Sequence, residues 1–478
     1  MTRSFVALAV LLGAEVVAGQ PPFGSAAPQV PLSSRDRVYL AEQFSNTVSV
    51  VNPATNELVG VLRLGDPQPQ NLSPLYRGQL LVHGMGFSPD RRTLVVVAIA
   101  SNAVIFIDTA TNAIRHVTYV GRAPHEAFFT PDGREVWVTV RGEDYVSVLD
   151  GKTYRETRRI HVPNGPGMAI FSPDGKYGYV CSSFTPETVV VAVATHQIVG
   201  RVRQDSPFCP NIAVTPEGDQ VWFTLKDSGR VMVFEGRPPF RTLRSIDSGP
   251  ITNHVNLIST PRGRFAYVTV GALNQVQVYR VGGDFARLAT IAVGDLPHGV
   301  WPSGDGTRVY VGLENAGEVI AIDTERNEVV GHVPAGQAAQ AVVYVPGAVP
   351  TGDGKENLLP LGLAGRTAHL SLGKAGRRLS TVALFDQGLT QVLELAASGL
   401  DPGGNYVLAL SAHPLQPTDV ELLERFRANA AGGAIVNAVG PIRQLVQGDG
   451  ETPRRLAFIA PLQGQSVGAA VQIELESP

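Results

Sequence analysis

Little of this sequence is charged, and very little is sulfur. Only 17% of its 478 residues are Asp, Glu, Lys or Arg, and the formal net charge of -3 comes without a basic run. That excludes a nucleic-acid binder built on a cationic face. Two cysteines allow at most one disulfide and exclude a cysteine-rich metal domain. There is no Cys-x-x-Cys-His for covalent haem attachment and no zinc-protease signature, so no motif dictates a reaction. Beyond the first residues, no apolar run approaches the roughly 18 residues of a membrane-spanning helix. What is abundant is Gly 51 and Pro 35 against a hydrophobic content of 44%. That composition suits many short strands joined by tight turns around a large core.

The first residues read as a targeting segment. Thr2, Arg3 and Ser4 precede an apolar stretch from Phe5 to Ala18, and Ala18 and Gly19 are small. Residues 1–19 are therefore expected to be a signal peptide, with a periplasmic or secreted destination.

An internal repeat organises most of the remaining chain. HGMGFSPDRR, HEAFFTPDGR, FSPDGK, VTPEGD, STPRGR and PSGDGT recur, with turns starting at Pro89, Pro131, Pro173, Pro216, Pro261 and Gly304. The spacing of about 43 residues is that of a four-stranded propeller blade. A strand comes after each turn, and one more stands at the N-terminus. Their aligned bulky positions are Tyr39, Val95, Trp137, Tyr179, Trp222, Tyr267 and Tyr310. Aromatics there are expected to pack blade on blade. The repeats open at Arg37 with a second, third and fourth strand and end with a lone first strand, Gln340 to Pro346. Joined, these make a seventh blade and leave no free edge at the seam.

The expected architecture is all-β. A seven-bladed β-propeller over 35–349 leads through a Gly/Pro-rich linker, 350–362, to a small β-sandwich-like domain over 363–478. A single helix is expected in that domain, from Pro417 to Ala431, capped by Thr418 with Glu421 three residues on.

The strands VWVT (Val136 to Thr139) and AYVT (Ala266 to Thr269), with IDTATN and SPDG, resemble the YVTN-repeat family of bacterial propellers. That family is similar to lactonase-type propellers and to the propeller of nitrous oxide reductase. The resemblance implies the fold; it implies no single activity, because one fold hosts many chemistries.

A propeller's first strands line its central channel. Counting back from each turn gives the channel-face ring: His83, His125, Gly167, Asn211, His254, His298 and Gln340, with a one-residue shift for Asn211 and His254. Four of the ten histidines fall on it, arranged by sequence as two adjacent pairs on opposite sides of the channel. Imidazoles so placed suit a divalent or copper ion, an anionic ligand or general-base catalysis; His83, His125, His254 and His298 are the metal candidates. The bland alternative is that Pro124-His125 and Pro297-His298 cap turns. The ends of the second strands add Arg141, Lys226 and Glu314, as anion-attracting, acid–base or merely solvated rim groups. His125, His298, Arg141 and Glu314 are the catalytic candidates. His83, His125, Asn211, Lys226, His254, His298 and Gln340 are the ligand-binding ones. The insertion from Asp66 to Gln79 is placed to overhang this face. Cys181 and Cys209 fall near it on neighbouring blades, as a disulfide, as thiolate ligands or as free thiols. In the C-terminal region His369 and His413 stand isolated.

Three functions fit these residues: an exported protein binding a metal ion or small ligand at the channel face, a lactonase-like hydrolase or lyase with a channel histidine as base, and an interaction scaffold. The expected partners are a small molecule, a metal or another exported protein.

Overall fold

The computed structural model describes residues 31–66, 78–417, 419–448, 450 and 453–475. The 1–19 export segment, most of the 66–79 insertion and the Thr418 cap lie outside the described residues.

The repeated turn is a local device. Thr130 donates its hydroxyl to Asp132 at 2.7 Å and Ser172 does the same to Asp174 at 2.7 Å. Gly133 and Gly175 close these turns at φ 69° and 68°, a conformation glycine adopts without strain. Each turn delivers the chain from an inner strand to its antiparallel neighbour, and the unit repeats around an axis as seven four-stranded sheets. Ala339–Val345 pairs antiparallel with Arg37–Glu42, which continues into Thr47–Asn52 and Glu57–Arg63, so the ring closes with one C-terminal and three N-terminal strands. The inner strands are buried throughout, as in Val82–Phe87 and Pro124–Phe129, whereas an outer strand such as Ile114–Tyr119 is largely exposed.

The aromatic series locks blade to blade. Trp137, Tyr179 and Trp222 are fully buried, and Tyr267 and Tyr310 nearly so. Tyr39 donates its hydroxyl to the Thr109 carbonyl at 3.3 Å, Tyr179 to that of Gly236, and Tyr267 to Asn327 Oδ1 at 2.9 Å, each in the next blade. A buried phenol needs such a partner. The indole of Trp137 reaches the next blade, where a Cβ at Gly178 would sit 2.4 Å from its ring.

Behind the propeller, the strands from Thr367–Lys374 to Gln472–Glu474 make one nearly closed sheet around a core that includes Leu372, Leu384, Leu393, Leu408 and Ile459. Its order runs Glu421–Arg427, Asn405–Ser411, Leu456–Gln463, Gln472–Glu474, Thr367–Lys374, Arg377–Asp386, Gln391–Ala397 and Ala434–Gly440. The first and last of these are consecutive in the chain and approach each other.

One expectation is overturned. The segment expected as a helix over 417–431 is the strand Glu421–Arg427, and the helix of this region is Ile442–Gln447. The strand completes the open edge of Asn405–Ser411 and puts Leu423 and Phe426 against the core, with Phe426 stacked on Tyr406 at 5.8 Å. Helix propensity is a difference of tenths of a kcal/mol per residue, so an unpaired edge beside an apolar core outweighs it.

This second sheet seats on the channel face of the propeller. Ile251 and Leu296 pack against Ala396 and Ile435, and the rings of Phe44 and Phe385 meet at 5.3 Å. Gln337 donates to the Asp386 carbonyl at 2.9 Å and accepts from Gln387 at 2.6 Å. Ahead of it, Leu359 bridges Val61 on the outer strand of the closing blade.

Candidate functional site

The inner strands bring the four ring histidines together more tightly than their sequence positions suggest. His83 and His125 lie 4.4 Å apart between ring centroids, His254 and His298 4.8 Å, and His83 reaches His298 at 6.3 Å. In place of two pairs on opposite sides there is one continuous row, because the channel is narrow enough for the rings to meet across it. All four are buried. Burial pushes the imidazoles of His83, His125 and His254 well below the ordinary histidine range, so each is neutral at pH 7.

Hydrogen bonds decide which nitrogen each ring presents. His125 Nδ1 lies 2.8 Å from the Gly167 carbonyl, which can only accept, so Nδ1 carries the proton and Nε2 keeps its lone pair. His298 Nδ1 lies 2.6 Å from Glu314 Oε2 and donates in the same sense. The Glu314 carboxyl is drawn two ways: burial raises it, but His298, Lys226 and the Gln340 amide outweigh burial and hold it at about 2. His298 is lowered by burial, and Glu314 draws it partly back. Histidine, carboxylate and amide thus form an oriented set with His298 Nε2 left free.

A cavity of about 410 Å³ opens above this row. The propeller supplies His83, His125, Arg141, Lys226, His298, Glu314 and Gln340 to its lining, and the C-terminal sheet supplies Glu394, Arg427, Asn429 and Asn437. The volume is that of a small-molecule site. Arg141 stacks over Phe208 at 4.8 Å and over Phe184 at 5.6 Å, and the Lys226 ammonium lies 5.8 Å from the Phe208 ring. Burial pushes the Arg141 guanidinium down to about 10 and lowers the Lys226 ammonium, each only partly offset by carboxylates such as Asp227 and, for Lys226, Glu314. Glu394 is raised well above the carboxylate range by burial and then by the Glu314 carboxylate beside it, which favours its protonated form.

Not every ring position reaches the cavity. Asn211 accepts from the Val255 N–H at 2.9 Å and tethers neighbouring inner strands. His254 lies deeper, against His298. Cys181 and Cys209 are joined in a disulfide with Cα atoms 5.9 Å apart, which ties two neighbouring blades and removes both sulfurs as metal ligands. His369 and His413 are exposed on the second sheet.

Two carboxylates escaped the sequence reading. Glu126 is buried beneath His83, with its Oε1 4.0 Å from His83 Nδ1. One nitrogen from each of His83 and His125 and one Glu126 oxygen lie within 4.8 Å of one another, a group able to hold a metal ion. The available signal was the motif itself, since HEAFF sets an acid into an inner strand that is otherwise apolar. Glu394 carried a similar signal, a lone acid inside VLELAA, but its strand could not be placed on the channel face without the tertiary structure.

A family model described as "Lactonase, 7-bladed beta-propeller" matches residues 119–337. This propeller is of the lactonase-like seven-bladed kind. No curated protein matches the chain. Among solved structures, the lactonase-like propeller is similar to a protein of unknown function from Desulfotomaculum acetoxidans, with TM-score 0.55 and 13% identity over 64% of this chain and 98% of that one. Hydrazine synthase of Kuenenia stuttgartiensis matches with TM-score 0.50 and 20% identity over 58% of this chain and 94% of that one. At such identities the likeness is one of fold. A third structure, dihydro-heme d1 dehydrogenase NirN in complex with DHE, aligns with TM-score 0.49 and 12% identity over 86% of this chain and 76% of that one.

Proposed function

We propose that this is an exported binding protein whose ligand is a small organic or inorganic anion, held in the cavity between the lactonase-like propeller and the C-terminal sheet. One observation carries the reading. Arg141 and Lys226 both face the cavity, both are stripped of much of their hydration, and neither is ion-paired among the described residues. A buried cation without a bonded anion is costly, and a carboxylate or phosphate in the cavity removes that cost. Export rests on the apolar segment at residues 5–18, and recovery of the tagged chain from the cytoplasm alone would remove that part. The ligand is tested by calorimetry of the full chain with a panel of mono- and dicarboxylates and inorganic phosphate. One of these binds, and Arg141→Met or Lys226→Met weakens it by at least about 10-fold, the worth of a charged hydrogen bond. No binding across the panel, or binding indifferent to both substitutions, overturns the reading.

A second reading comes from the His298–Glu314 contact. A neutral imidazole with Nδ1 anchored on a carboxylate has Nε2 poised as a general base, and Glu394 stands nearby with its protonated form favoured. That arrangement suits opening of a lactone by water. A screen of lactones and aryl esters that leaves every substrate intact sinks it.

A further inference from the structure

We propose that His83, His125 and Glu126 form a site for a divalent transition-metal ion at the floor of the cavity. The donors are two imidazole nitrogens and a carboxylate oxygen, all from buried residues and within 4.8 Å of one another. Both imidazoles are set up for ligation. His83 Nδ1 has no hydrogen-bond partner, and His125 is anchored through Nδ1 on the Gly167 carbonyl, which leaves Nε2 as its ligating nitrogen. Such an outer hydrogen bond fixes tautomer and ring orientation in metal-ligating histidines.

The backbone is shaped to allow it. The strands Val82–Phe87 and Pro124–Phe129 approach so closely at Gly84 that a Cβ there would lie 2.1 Å from the His125 carbonyl and 2.5 Å from Glu126 Oε2. Only glycine brings the two histidines and the carboxylate to one point. A centre equidistant from three atoms 4.8 Å apart lies roughly 2.8 Å from each, so the donors close by about 0.7 Å to reach the ~2.1 Å of a zinc–nitrogen bond. Side-chain rotation within the existing backbone supplies that. Two imidazoles and one carboxylate match Zn²⁺, Co²⁺ or Fe²⁺ and are a poor set for Ca²⁺ or Mg²⁺. His83 and His125 line the cavity, so the remaining coordination position opens into it. A bound metal there would meet the cavity's ligand directly.

The test uses the full chain, stripped with chelator and titrated with Co²⁺ alone, monitored by its visible ligand-field bands and by elemental analysis. One equivalent binds with bands of tetrahedral or five-coordinate intensity. Glu126→Gln, nearly isosteric, and His83→Gln each weaken uptake by more than the roughly 10–100-fold that loss of a supporting hydrogen bond costs. His369→Asn, at an exposed histidine, leaves it unchanged. Circular dichroism confirms that each variant is folded, and His83→Gln decides the matter if Glu126→Gln is not. A folded wild-type chain that takes up no Co²⁺, or uptake that both substitutions leave intact, overturns the site. It stands apart from the anion reading: lost Co²⁺ uptake beside intact Lys226-dependent anion binding removes the metal alone.

Discussion

The propeller and the sheet behind it differ in how their chemistry is specified. Four propeller blades, turning at Thr130, Ser172, Thr215 and Ser303, close through a short turn whose Ser/Thr–Asp hydrogen bond and glycine lie within a few residues of one another. The C-terminal sheet instead pairs Thr367–Lys374 with Gln472–Glu474 across the whole domain, and Gln391–Ala397 with Ala434–Gly440. Local signals repeat and can be counted, whereas distant pairings leave no periodic trace. The cavity lies where these two kinds of structure meet, so one wall of it belongs to the part whose sequence is hardest to read.

Substitutions can break or sharpen this contrast, and the largest effect is expected in a blade core. Trp222 is fully buried among Val233, Val255 and Val268, so Trp222→Ala is expected to cost about 3–5 kcal/mol in urea unfolding. A loss below about 1 kcal/mol would show that single blades are not held by their aromatic. Next comes the disulfide between neighbouring blades: Cys181→Ser with Cys209→Ser is expected to lose about 2–4 kcal/mol, read from the same transition. On the other side of the comparison, Phe426→Ala removes a half-buried ring from the strand that replaced the expected helix, and about 1–2 kcal/mol is expected. Far-UV circular dichroism sharpens this one, because a weakened edge contact should let the Glu421–Arg427 segment gain helical signal.

The smallest effect is a slope. Burial and the Glu314 carboxylate keep Glu394 protonated in the folded chain, while the unfolded chain releases that proton in the ordinary glutamate range. The folded state therefore binds more protons over that window, and this contribution to stability falls as pH rises. Glu314, held at about 2, acts oppositely: its contribution is present above the ordinary glutamate value and lost as pH falls toward about 2. Glu394→Gln is expected to flatten the decline of Tm as pH rises above the ordinary glutamate range. An unchanged profile would place the proton elsewhere.

What was legible in the sequence divides along the same line. The seven blades, their closure and the buried aromatics could be read because turns near Pro89, Pro131 and Pro173 recur at fixed spacing. The ring of four histidines came from the same count, but its contraction into one row could not, because sequence carries no channel diameter. Glu126 was missed although it adjoins His125. Alternation along a strand sends neighbours to opposite faces, and the register shift between Pro124 and Ala127 that alters this leaves no mark in the sequence. Glu394, Arg427 and Asn437 were out of reach: nothing local says that the second sheet docks on the channel. The Glu421–Arg427 segment carries its helix cap and apolar spacing as local features, but the free edge of the preceding strand, Asn405–Ser411, beside the apolar core claims it as a strand.

The central claim is that one ligand is held by both parts of the molecule at once. Calorimetric titration of the anion that the wild-type chain binds, into Lys226→Met and into Asn437→Ala, tests it most directly. The propeller substitution is expected to weaken binding by at least about 10-fold, and loss of the neutral amide on the C-terminal sheet by about 2–10-fold. An affinity untouched by Asn437→Ala beside a large loss in Lys226→Met would confine the ligand to the propeller and contradict the account.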